Sequence, residues 1–168
     1  MVAVAARSPA NDVVLLASLD AREVEALLRD YGARLAHVPP GAAIPGSYWG
    51  DAEAGLIADT VYVRADTPAH SFLHELCHFV CMDGTRRATL DTDAGGSDAE
   101  ECGVCYLQVL LAERLTGFGA ARCLRDMDAW GYSFREGSAR AWMGGDARFA
   151  REWLIAHGII DTGSVMVP

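Results

Sequence analysis

The sequence predicts a single α+β domain spanning residues 1–168, on three observations. At 168 residues and 51% hydrophobic content, the chain has the length of one domain and enough apolar side chains for a core. A segment rich in β-branched and aromatic residues, LIADTVYVRAD (56–66), is followed directly by an apolar run with helical spacing. From there to the C-terminus the apolar positions recur at helical intervals, punctuated by glycine. The expected architecture is a small sheet packed on that central helix, with a helical C-terminal part.

Taken in order, MVAVAARSPA is too short an apolar stretch for a signal peptide, so 1–11 is expected to be a loose tail. DVVLLAS (12–18) predicts a short strand. DAREVEALLRDYG (20–32) predicts a helix: Asp20 and Glu23 form a capping-box pattern, Val24, Leu27 and Leu28 share a face, and Gly32 supplies the stop. ARLAHV (33–38) reads as a strand, and the Pro- and Gly-rich 39–55 as a loop. Thr67-Pro68 breaks the next strand and opens a helix from Ala69 to about Met82. DGTRRATLDTDAGGSD (83–98) reads as a flexible acidic linker. Ser97 or Asp98 then caps a long helix, and the last helix runs between Asp146 and Gly158.

The formal net charge of −9 excludes a basic nucleic-acid surface or an anionic-membrane surface. No apolar run approaches the roughly 20 residues of a membrane span. Five cysteines, an odd number, fit reduced thiols and a cytoplasmic location.

The central helix carries the chemistry. His74-Glu75-Leu76-Cys77-His78 is an H-E-x-x-H pattern. Residues i and i+4 lie on one helix face, so both imidazoles can reach one ion. Glu75 is rotated roughly 100° from His74, beside the ion's open position, where it can take a proton from water. A carboxylate in so apolar a helix is costly unless a cation sits near it. His70 is separated from His78 by about 12 Å along the axis, so the three histidines cannot chelate together. In the first turn after a proline, His70 is expected to be partly exposed.

Catalytic zinc takes three protein ligands and one water. The next helix offers Glu100 and Glu101. Glu101 shares a face with Cys105 and neighbours small residues that permit close approach. Glu100 shares a face with Val104 and later Gln108. The periodicity favours Glu101 as the third ligand, with Glu100 as the alternative, solvated near the helix N-terminus.

A strand, H-E-x-x-H on a helix and a glutamate on the following helix resemble the gluzincin branch of zinc metallopeptidases. VYVRADTPAHSFLHELCH followed by EECGVCYLQVLL is most similar to the small bacterial peptidases that cleave repressors. The resemblance covers residues 55–112 and implies a zincin-like fold with one Zn²⁺ per chain. It implies His74, His78 and a glutamate as ligands, Glu75 as general base, and a peptide or protein substrate. It also implies that the substrate adds to a sheet edge at the strand around Tyr62. Candidates for steadying an oxyanion are Tyr106, Tyr132, His70 and His157.

Two other metal readings stand beside it. Cys102 and Cys105 could join His74 and His78 in a closed, structural His₂Cys₂ site, which would leave Glu75 unexplained. Asp91-Thr-Asp93-Ala-Gly95-Gly96 starts like an EF-hand loop, but Gly95 and Cys102 stand where calcium ligands are needed. A non-hydrolytic module on the same scaffold is the rival to a peptidase.

Overall fold

The computed structural model describes residues 3–4 and 12–163. The architecture is α+β. Strand β1 (Ala3–Val4) leads to a 3-10 turn (Leu16–Ser18), α1 (Ala21–Tyr31), β2 (Arg34–His37), β3 (Gly55–Ile57) and β4 (Thr60–Val63). Then follow α2 (Ala69–Cys81), α3 (Gly84–Thr89), α4 (Asp98–Ala112), α5 (Gly119–Trp130), β5 (Tyr132–Ser133), α6 (Ala139–Met143) and α7 (Ala147–Ala156).

The three-stranded sheet has the order β2-β4-β3, with β2 parallel and β3 antiparallel to β4. Alternation along β4 turns Val61 and Val63 into the core and Tyr62 to the other face. β3 and β4 form a tight hairpin through Ala58, which adopts φ +51° without being glycine. The Ala58 N–H, donating to Leu90 O at 3.0 Å, holds that turn in place. One apolar core joins the inner faces of the sheet and α1 to α2, α4, α5, α6 and α7. α2 and α4 run through the middle of that core and carry the candidate residues His74, Glu75, His78 and Glu101.

Several expectations change. Residues 12–18 are not a sheet strand: Leu15 makes an isolated bridge to Pro68 and the chain then turns. Its polar groups are satisfied locally, by Leu16 N–H to Thr67 O and by Val14 N–H to the Asp126 carboxylate. Within the expected tail, Ala3–Val4 pairs with β5; residues 1–2 and 5–11 lie outside the described residues. The 83–98 linker contains a helix, α3, capped by Asp83. In α1 Asp20 accepts from Arg22 N–H and Gly32 closes the helix at φ +72°, while Glu23 reaches Thr116 instead of completing a capping box. Asp146 makes no cap bond to α7 and instead pairs with Arg135.

The edge expected at Tyr62 does not exist, because β4 is bonded on both sides. The outer side of β3 is also occupied: Leu56 donates to Gly46 O and accepts from Thr92 N–H. The loop comes this close only because Gly55 lacks a side chain; a Cβ there would lie 2.0 Å from Pro45 O.

Candidate metal and catalytic site

α2 and α4 pack side by side and bring His74, His78 and Glu101 next to one another. The two Nε2 atoms are 3.1 Å apart. Glu101 places Oε1 3.5 Å from His74 Nε2 and Oε2 3.4 Å from His78 Nε2. Cys105, one turn beyond Glu101, brings its sulfur within 4.0 Å of Glu101 Oε1. His74, Glu101 and Cys105 are a group that could hold a metal ion.

The expectation for Glu100 is overturned. Instead of being solvated, it is buried and gripped by both Arg86 nitrogens, at 2.8 and 2.9 Å. That fork uses both carboxylate oxygens. Arg86 also donates to Ala94 O, which fastens the loop before α4.

Gln108 is the residue that sequence reasoning passed over. Fully buried on α4, it donates from Nε2 to the His70 carbonyl at 2.9 Å, and its Oε1 lies 3.2 Å from His74 Nδ1. With the amide oxygen on that side, His74 donates from Nδ1 and turns Nε2 toward Glu101. The only signal in the sequence is a lone amide on an otherwise apolar stripe.

Glu75 lines a cavity of about 550 Å³ together with His74, His78, Glu101 and Tyr132. Its carboxyl titrates well above the usual carboxylate range, because of burial first and the charges of Glu53 and Glu101 next. His78 is held well below the usual imidazole range by burial, then by His74 and Arg86.

The remaining candidates separate cleanly. Tyr132 is in the site: its ring meets His74 edge-on at 5.6 Å, and its phenol faces the Gln108 amide. Tyr106 is buried with an unpartnered hydroxyl and does not line the cavity. His157 stacks on Trp153 at the end of α7, with centroids 3.9 Å apart. Tyr62 is outside the cavity too. His70 is fully buried, not partly exposed. Its ring stands edge-on to Trp130 and Tyr132, and neither ring nitrogen has a partner.

The four-residue His₂Cys₂ set is not assembled, since Cys102 lines a separate cavity with Phe134 and Trp142. No helix among the described residues is long and apolar enough to cross a membrane. Comparison of the chain with protein-family models, curated protein sequences and solved structures gave no match.

Proposed function

We infer that the protein is a metal-dependent peptidase of zincin-like design, in which His74, His78 and Glu101 hold one Zn²⁺ and Glu75 is the general base. One observation carries this reading. Donors bound at about 2.05 Å in a tetrahedron stand roughly 3.3 Å from each other. The two Nε2 atoms here stand 3.1 Å apart, and the Glu101 carboxylate turns one oxygen to each, Oε1 at 3.5 Å from His74 Nε2 and Oε2 at 3.4 Å from His78 Nε2. Two imidazole nitrogens and a carboxylate at such spacing draw a cation into the space between them.

A bound divalent ion would supply a Lewis acid and lower the pKa of water. The chain's own residues do the rest. Glu75, beside His74 in the cavity wall, accepts a proton from the attacking water and delivers it to the leaving amide nitrogen. Gln108 fixes which nitrogen of His74 faces the site. The Arg86–Glu100 pair keeps the neighbouring carboxylate out of it.

The test is Glu75→Gln. The variant should bind Zn²⁺ as the wild type does while peptide turnover falls by about 10²–10⁴-fold. Metal analysis beside a peptide cleavage assay checks both halves. A variant as active as the wild type refutes the general-base role.

A second reading has one observation in its favour. Cys105 is close enough to Glu101 and His74 to take the fourth position as a thiolate and close the site to water. The protein would then be a non-hydrolytic metal-binding module. Cobalt substitution separates the two: a thiolate-to-metal absorption band that disappears in Cys105→Ser favours the closed site.

A further inference from the structure

We propose that the cleft takes cationic peptide segments, seating an arginine or lysine side chain against Tyr48 and Trp49 and the carboxylates of Asp93 and Asp98. This rests on the peptidase reading for the identity of the ligand as a peptide. Its physical basis is separate from the metal-binding geometry.

The first observation is electrostatic. Five carboxylates line the site cavity, those of Glu53, Glu75, Asp93, Asp98 and Glu101, and no arginine does. Even with Glu75 left out of the count, a divalent ion offsets two of the four remaining charges and leaves the cavity anionic. Arg86, which reaches the rim at Ala94 O, is already neutralised by Glu100. Asp93 and Asp98 are exposed, and neither takes part in the metal geometry. An anionic, partly enclosed wall concentrates cationic ligands and excludes anionic ones.

The second observation is apolar. Tyr48 and Trp49 are 62% and 46% exposed, adjacent in sequence, and both on this cavity. Their rings meet edge-to-face at 4.9 Å. They do not dangle: the buried Glu53 carboxylate accepts from Ser47 Oγ and from Trp49 N–H, which ties the loop into a closed turn. A pair of exposed aromatic rings on a tied loop, sharing one cavity with exposed carboxylates, suits a guanidinium or ammonium, which is attracted by both. An aliphatic side chain would gain only the rings.

The test uses full-length, zinc-loaded Glu75→Gln protein and three fluorescent peptides identical except for a central Arg, Leu or Glu. Anisotropy should give the Arg peptide about tenfold tighter binding than the Glu peptide, with the advantage shrinking as salt rises to about 0.5 M. The double variant Asp93→Asn/Asp98→Asn should lose most of that ratio. Trp49→Leu should weaken the Arg peptide about two- to fivefold and the Leu peptide less, since only the cation loses its attraction to the ring face. Equal binding of Arg and Glu peptides, preference for Leu, or binding of none of the three overturns the proposal. A wild type that cleaves nothing while the Arg preference persists refutes the peptidase reading and leaves the cationic ligand standing. Cleavage of Arg and Glu peptides at equal kcat/KM does the reverse.

Discussion

The two sides of α4 differ although they belong to one helix packed closely on both flanks. Toward α7 the contact is apolar and tight: Gly103 lies under Trp153, where a Cβ would approach Cε3 to 2.7 Å, and Leu154 fills the space beside it. Toward α2 the same helix buries Cys105 and Gln108 and sets the half-buried Glu101 against two histidines. The first face gains from exclusion of water and from shape. The second buries polar groups that are tolerable only where each has a partner, or a cation supplies one. Stability and chemistry are therefore divided by helix face, and the two can be perturbed separately.

The largest separation should come from the adjacent glutamates. Glu101→Ala should reduce zinc affinity by more than about 100-fold, since loss of an outer partner alone costs about 10–100-fold. Glu100→Gln should keep zinc and instead lower the melting temperature, because Arg86 loses one of its two charge-assisted contacts. Zinc titration with a competing chelator, paired with thermal melts, resolves both. Equal zinc loss in the two variants would erase the distinction between them.

Gln108→Leu comes next. The substitution leaves His74 Nδ1 without its partner and removes the side-chain donor to the His70 carbonyl. Zinc affinity should fall about 10–100-fold. Gln108→Glu, which restores an acceptor to His74, should recover part of it. An unchanged affinity in Gln108→Leu would mean that His74 is oriented by packing alone.

On the opposite face, Gly103→Ala should destabilise the fold by about 1–3 kcal/mol through overpacking against Trp153, with zinc affinity unchanged at temperatures where the protein is folded. Urea unfolding alongside zinc titration measures the two independently. Zinc loss at equal foldedness would show that the two faces are coupled.

What was legible in the sequence follows from which interactions are local. α2, with its proline start and paired histidines, could be read because a 3.6-residue period depends on nothing outside the helix. Glu101 could be preferred over Glu100 for the same reason, since its face carries small neighbours. The burial of Glu100 could not be read, because its partner Arg86 approaches across a folded loop fourteen residues away. The hairpin between β3 and β4 was hidden inside one apparent strand. Its turn uses Ala58 at positive φ, without the glycine or asparagine that ordinarily marks such a turn. Tyr62 as an edge failed because a strand's local pattern does not reveal which neighbours it will acquire. His70 was misplaced because a first-turn position was taken to be open, whereas Trp130 and Tyr132 cover it from another part of the chain.

That covering of His70 yields an effect confined to acidic pH, and one that sets it apart from His74 and His78. Burial, then the neighbouring His74, lowers its pKa to about 3. In the unfolded chain it returns to about 6.5. Between these values the unfolded state binds the extra proton, so stability falls as pH drops below about 6.5 and stops falling near 3. At pH 5 the cost is about 2 kcal/mol, from 1.36 kcal/mol per pH unit. His70→Phe keeps a ring against Trp130 and Tyr132 and removes the titration. Metal-free protein in chelator should therefore lose less stability between pH 7 and pH 5 in the variant than in the wild type. His78, also depressed, contributes equally to both proteins and cancels in the comparison. If urea unfolding gives the same loss in both, His70 gains a proton without unfolding, and its ring nitrogens have a partner in solution.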